Sequence, residues 1–408
     1  MKPEADLIIH NSSQLLTIPP NSAFGIDSLG AIPGGAVAVK NGLVLETGSS
    51  AGILSRYCAR ETIDAGGRLL MPGFVDSHTH LIHGGDRTGE MVMRLKGATY
   101  LEILKTGGGI HSTVKATRQA SQEDLTARAL ERLNHMADHG TTTVEIKSGY
   151  GLDTAAERKI LKCAASLNRS SALEIVSTYL GAHSLPKDRH REKVMKDLTG
   201  PSLRDFRLLS EYCDVFCEEG AFTLEESRTI LTAAKAAGFG LKIHAGQFNA
   251  LGGAGMAASL GAVSADHLEE LVPGEAKLMA KHGTVAVLLP GVPFFLQGKK
   301  YADGRRLIDA GVTVALATDY NPGSCPSYSM PFMIALGVFQ CGLTVSEAIR
   351  AATLGGASAI NREDRIGSLM PGMQADILIL NLEKPAEIPY YFGTNPVHRV
   401  FKRGLKIL

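Results

Sequence analysis

The chain has 408 residues, 42 lysines and arginines against 41 aspartates and glutamates, and 44% hydrophobic side chains. That length supports one large domain plus a smaller one around a substantial core. With almost no net charge, a nucleic-acid partner is not expected, and no apolar run approaches a membrane span.

In chain order, the N-terminus MKPEADLIIH has neither the apolar core nor the small-residue cleavage site of a secretory signal, so a cytoplasmic location is expected. Residues 1–70 then hold short extended runs broken by turn dipeptides: DLIIH, GAVAVKNGLVLETG with its Asn41-Gly42 hairpin signal, and ETIDAGGRLLMPG. Residues 366–408 look alike, in IGSLMPGMQADILILN and VHRVFKRGLKIL. Residues 1–70 plus 361–408 therefore predict one small β-sandwich domain built from both termini, with residues 71–360 inserted between.

From residue 74 to 319 an apolar run, a helical pattern and a glycine repeat. The runs are FVDSHTH (74–80), TTVEIKS (142–148), LEIVSTYLGAH (173–183), CDVFCEEG (213–220), LKIHAG (241–246), AVSADH (262–267), TVAVLLPG (284–291) and VTVALATD (312–319). Gly140, Gly238, Gly261, Gly283 and Gly311 stand where a left-handed helix cap is needed. Thr154/Glu157, Thr223/Glu226 and Thr344/Glu347 have capping-box spacing. Alternating strands and helices predict a parallel sheet, and eight strands predict a closed (β/α)8 barrel of the TIM type. An open doubly wound sheet would carry G-x-G-x-x-G after its first strand, and HTHLIHGGD follows instead.

Six cysteines (Cys58, Cys163, Cys213, Cys217, Cys325, Cys341) form no regular framework and read as reduced thiols. Cys213 and Cys217 lie within one strand and no second pair accompanies them, so they are assigned to the core.

Active sites of such barrels lie at the C-terminal ends of the strands. Alternation puts His78 and His80 on one face of the first strand, while His244, His267 and Asp319 lie at or near the ends of the fifth, sixth and eighth. Three imidazoles and a carboxylate suit zinc or ferrous iron, with a position left for water whose pKa the metal lowers. Asp319 is placed to touch the metal and accept the water's proton, and His267 to polarise a substrate carbonyl from just outside the metal shell.

This pattern resembles the amidohydrolase superfamily. HTHLIHGGDR, MRLKGATYLEIL, GGGIHSTVKATR, EIKSGYGLD, LGAHSLP, KIHAGQFNALGGA, SADHLEE, VAVLLPG and ATDYNPGS extend the likeness from about residue 70 to 330, and the terminal segments share it. The HxH with a later His and Asp belongs to the whole superfamily. GGGIHSTVKATR, KSGYGL and ATDYNPGS are narrower signals, similar to members that open a cyclic amide. The implied reaction is hydrolysis of the ring C–N bond of 4-imidazolone-5-propanoate to N-formimino-L-glutamate, in histidine degradation.

The resemblance implies one divalent metal per subunit, zinc or iron, on His78, His80, His244 and Asp319. It assigns Arg87, Tyr150 and His183 to the substrate, and Asn321, Gly323 and Ser324 to the product's glutamate portion. It also implies a homodimer acting on a small molecule. A propionate calls for a guanidinium that captures it bidentately, which suits Arg87. Gln247 occupies a position that is Glu or Gln in the family. A glutamine is no general base, so Gln247 is assigned to substrate positioning and proton handling to Asp319 and His267. The HxxE proton shuttle of many metal deaminases is thereby absent.

Lys147 raises a two-metal alternative through a carboxylated lysine. That lysine belongs on the fourth strand, where Glu218 and Glu219 stand instead. Lys147 is expected to sit at the rim or lend charge to the substrate. His111, beside three glycines, is expected to cover the substrate, and His83 has no assigned role.

Overall fold

Eight strands pair side by side in chain order, all parallel: Phe74–Asp76, Thr141–Lys147, Glu174–Ala182, Tyr212–Cys217, Gly240–Ala245, Ser264–His267, Val285–Leu288 and Val314–Leu316. They are called barrel strands 1 to 8 here. This computed structural model describes residues 2–20, 29–98, 102 and 108–408. The predicted runs recur in order; all but the sixth stop short of their expected C-terminal end, and strands 2, 4 and 5 begin one residue earlier than expected. Strand 1 stops at Asp76, yet its line continues: Asp319 N donates to His78 O (3.0 Å) and His80 N to Tyr320 O (2.9 Å). These bonds bring strand 8 back to strand 1 and close the (β/α)8 barrel.

Helices wrap the outside because each buries one stripe. In Gln122–Asp138 the stripe is Leu125, Ala129, Leu133 and Met136, spaced three or four apart. The five glycines expected to cap helices all have positive φ, between 71° and 88°. Gly140 has a second reason, since a Cβ there would press to 3.0 Å on the Phe74 ring that starts strand 1.

Capping boxes form at Thr223/Glu226 and Thr344/Glu347. The third expected box does not. Asp153 caps that helix, its side chain accepting from Ala156 N, and Glu157 turns to the loop after strand 2 instead. Its carboxylate accepts from the amides of Gly149 (2.8 Å), Gly151 (2.7 Å) and Leu152 (2.7 Å). An aspartate one residue ahead of Thr154 offers a stronger acceptor, which releases Glu157 for the loop.

The termini form two further sheets. One orders Leu43–Ser49, Gly35–Lys40, Glu4–His10 and Cys58–Asp64; the other orders Leu405–Lys406, Val397–Lys402, Ile377–Leu380, Leu69–Pro72, Gln14–Leu16 and Ala31–Pro33. Leu7, Val37 and Val39 of the first share one core with Leu70, Ile377 and Phe401 of the second, so the sheets pack as a sandwich. Asn41 (φ 52°) and Gly42 (φ 77°) make the predicted tight turn. The sandwich is fastened to the barrel where Gly73 N, just ahead of strand 1, donates to Asp376 O.

Cys213 and Cys217 are free and buried. Among the described residues no helix is long and apolar enough to cross a membrane.

Candidate active site

The strands deliver five polar side chains to one point at the barrel mouth. His78, His80, His244, His267 and Asp319 are all buried there. His80 Nε2 lies 3.3 Å from His244 Nε2 and 3.3 Å from Asp319 Oδ1; His78 Nε2 lies 3.5 Å from the same oxygen. Ligand atoms of His78, His80 and His244 lie within 4.8 Å of one another, and so do those of His78, His267 and Asp319. Two backbones are strained to achieve this, at φ 84° for His267 and φ 48° for Asp319.

The donor chemistry fits a cation. His78 donates from Nδ1 to Asp266 Oδ2 at 2.6 Å, which leaves the lone pair on Nε2. His244 Nδ1 faces Asp214 Oδ2 at 3.0 Å, so its Nε2 lone pair also turns toward the cluster. Among the described residues, His78 Nε2 and Asp319 Oδ1 are buried with no hydrogen-bond partner. Converging lone pairs and a carboxylate are costly to bury unless a positive charge joins them. Burial pushes the His267 imidazole down to about 4, so it is neutral at pH 7.

A cavity of about 100 Å³ opens beside the cluster, lined by Arg87, Tyr150, His183, Gln247, Asn321 and Ser324 together with His80, His244, His267 and Asp319. Outside it lies a wider cavity of about 740 Å³, where Arg87, Gln247, Gly323 and Ser324 meet Glu90, Arg94 and Glu218. The expected substrate residues are thus brought together. Burial pushes His183 down to about 3, and its Nδ1 lies 3.0 Å from Gly149 O. Burial pushes the Tyr150 phenol up, so it keeps its proton. Asn321 organises its own loop: Oδ1 accepts from Gly323 N and Ser324 N, both at 2.8 Å, and Nδ2 donates to Asp319 O at 2.7 Å. A Cβ at Gly323 would collide with Arg87 Nη1, so glycine there gives the guanidinium its place.

Three expectations change. Arg87 is not a free fork, because Nε and Nη2 already lie 2.8 Å and 2.7 Å from Glu90 Oε2. Nη1 is the part left for a substrate carboxylate. Ile110, not His111, lines the inner cavity; His111 lines a separate one with Lys115, Arg118 and Lys187. Of the three glycines expected as its hinge, Gly107 lies outside the described residues, as do parts of MRLKGATYLEIL. His83 is buried against Tyr150 and Tyr320, and among the described residues neither of its ring nitrogens has a hydrogen-bond partner.

Lys147 is the largest correction. It is not at the rim but fully buried under the cluster, its Nζ 2.8 Å from Asp214, 2.9 Å from Glu145 and 3.6 Å from Asp266. An amine enclosed by three carboxylates is no place for a carbamate, which would add a fourth negative charge.

Asp214, Asp266, Glu145 and Glu90 were not singled out from the sequence. A signal existed for three of them: Glu145 in TTVEIKS, Asp214 in CDVFC and Asp266 in SADH are carboxylates inside buried strands, which demand a partner. Glu90 sits on the short amphipathic helix Thr88–Leu95, none of whose residues is buried, and gave no sign.

Residues 69–406 match the amidohydrolase family. The imidazolonepropionase of Caldanaerobacter subterraneus subsp. tengcongensis is 45% identical over 407 residues, covering 98% of this chain and 97% of that protein. That of Symbiobacterium thermophilum is 45% identical over 418 residues, covering 100% and 98%. Among solved structures, a zinc-bound adenosine deaminase from Xanthomonas campestris superposes with a TM-score of 0.75 at 20% identity, over 100% of this chain and 94% of that one. The last likeness establishes the barrel and its terminal sheets alone. The fold and the site define a hydrolase of the amidohydrolase class. Within that class, the chain belongs to the imidazolonepropionase family.

Proposed function

We propose that the chain hydrolyses the ring amide of 4-imidazolone-5-propanoate to N-formimino-L-glutamate, with His78, His80, His244 and Asp319 holding one zinc or iron ion. The observation that carries the reading is the convergence of these ligand atoms beside a small cavity that also receives one guanidinium, Arg87. Bound there, the metal supplies a Lewis acid and a water acidic enough to be deprotonated near neutral pH.

The chain's residues supply the rest. Arg87 Nη1 holds the propionate while Glu90 fixes the other edge of the guanidinium. His183, donating from Nδ1 to Gly149 O, offers the Nε2 lone pair to a ring N–H, and Tyr150 donates its hydroxyl. Gln247, both donor and acceptor, fixes the ring amide. Asp319 accepts the proton of the attacking water as oxygen bonds to the carbonyl carbon. Neutral His267 donates to the carbonyl oxygen as it gains charge. The C–N bond then breaks, and Asp319 returns the proton to the departing ring nitrogen.

The test is loss of imidazolonepropionate generated in the cuvette from urocanate by urocanase, with metal analysis on the same sample. Rapid loss with formiminoglutamate appearing, abolished by a chelator, supports the reading. No acceleration at stoichiometric metal, or ammonia as the product, overturns the substrate. A cytoplasmic homodimer belongs to the same reading, and sedimentation of the 43.3 kDa chain as a single species of that mass counts against the dimer.

A further inference from the structure

Lys147 has no part in the steps above, yet it is among the most completely buried side chains in the protein. Its three carboxylates come from barrel strands 2, 4 and 6, alternate strands that contribute one layer of the interior. Each carboxylate also reaches a different piece of the metal cluster. Asp266 Oδ2 takes the proton of His78 Nδ1 at 2.6 Å, and Asp214 Oδ2 stands 3.0 Å from His244 Nδ1. Glu145 Oε2 lies 3.4 Å from the amide of Thr79, the residue between His78 and His80. Glu145 and Lys147 share a face of strand 2, and Thr79 is bound to that strand by its Oγ1 donating to Glu145 O (2.7 Å) and by Lys147 N donating to Thr79 O (2.9 Å).

One ammonium thus sits where three lines to the imidazoles meet. Without it, carboxylates this close in a dry interior repel one another and turn away from the rings they aim. We infer that Lys147 is the positioning residue of the metal centre, pinning Asp214, Asp266 and Glu145 so that His78, His80 and His244 present their nitrogens to one ion. The inference rests on the proposal that these residues bind a metal. It concerns how tightly and in what geometry the metal is held, rather than which substrate is opened. Loss of partners behind metal-binding histidines typically weakens metal affinity about 10- to 100-fold.

The experiment compares wild type with Lys147→Met in two measurements that need no turnover: Zn2+ affinity by competition with a chromogenic chelator, and the visible spectrum of the Co2+-loaded protein. The expected result is an affinity about 10-fold or more weaker, with a Co2+ spectrum altered in position and intensity, in protein whose circular dichroism is unchanged. Equal affinity and an identical spectrum overturn the inference. Should Lys147→Met not fold, Lys147→Gln combined with Glu145→Gln keeps a donor in the pocket and leaves its net charge as it was. Weakened Zn2+ binding there supports positioning, and wild-type affinity overturns it. A wild-type chain that takes up no metal defeats the proposed function instead, so the two failures are separable.

Discussion

The floor of the barrel mouth and its rim are built by opposite means. The floor stands on strands, and its imidazoles are aimed by charged groups closed off from water: Asp266 on His78, Asp214 at His244, Lys147 beneath both. The rim stands on loops, and three glutamates brace it mainly through the backbone. Glu157 accepts from three amides of the Tyr150 loop, and Glu218 accepts from Phe248 N and Asn249 N beside Gln247. Glu90 accepts from Gly109 N while holding Arg87. Ionic bracing in a dry interior fixes positions to a fraction of an ångström and suits a metal. Bracing through amides fixes a loop's shape and leaves side chains room to meet a substrate. Damage to the floor is therefore expected in metal retention, and damage to the rim in KM.

The largest effect is expected at the floor. His244→Ala removes a proposed ligand and should abolish metal loading, with kcat/KM down about 10³-fold or more. A variant with full metal content and full activity would sink the ligand assignment. Asp266→Asn comes next: the amide no longer takes the His78 proton with a full charge, and Zn2+ affinity should fall about 10-fold. Chelator competition reads that directly.

At the rim, Arg87→Ala should raise KM about 10- to 100-fold, the worth of a hydrogen bond to a charged group, with metal content unchanged. Steady-state kinetics beside metal analysis decides it; a fall in kcat with KM unchanged would move Arg87 from binding to chemistry. Glu157→Gln should act more weakly in the same direction. An amide NH2 in place of one carboxylate oxygen faces a backbone N–H it cannot satisfy, and the Tyr150 loop shifts. If KM stays put, the loop holds its shape without the brace.

The same divide explains what was legible in the sequence. The barrel could be read because each strand is a local apolar run, and each candidate ligand because it ends one. His78, His80, His244, His267 and Asp319 needed only strand order to be brought together. Lys147 could not be placed that way. Its partners Asp214 and Asp266 lie on strands 4 and 6, and contact exists only after the barrel closes. Glu157 shows a different limit. Its spacing from Thr154 is that of a capping box, and only the competing cap at Asp153 decides which way it turns. Arg87 could be found, while the neighbour that occupies two of its nitrogens stands on a short amphipathic helix with no buried residue to mark it.

The last predicted effect lies between floor and rim, at His83. Burial pushes its imidazole down to about 3, with the Arg132 guanidinium acting in the same sense, whereas in the unfolded chain it titrates near 6.5. Between those values the unfolded chain binds the extra proton, so stability rises with pH there. His83 therefore contributes no pH dependence above about pH 7. As acidity increases it destabilises the fold by about 1.4 kcal/mol per pH unit, down to pH 3. Other groups titrate in the same window, so the readable quantity is a difference. Urea unfolding of metal-free wild type and His83→Asn at pH 5 and pH 7.5 should give a variant whose loss of stability on acidification is smaller by one proton's worth. Parallel losses would mean that His83 takes up its proton without unfolding the chain, through an opening of the packing against Tyr150 and Tyr320. The substrate loop beside it would then be looser than its three amide bonds to Glu157 imply.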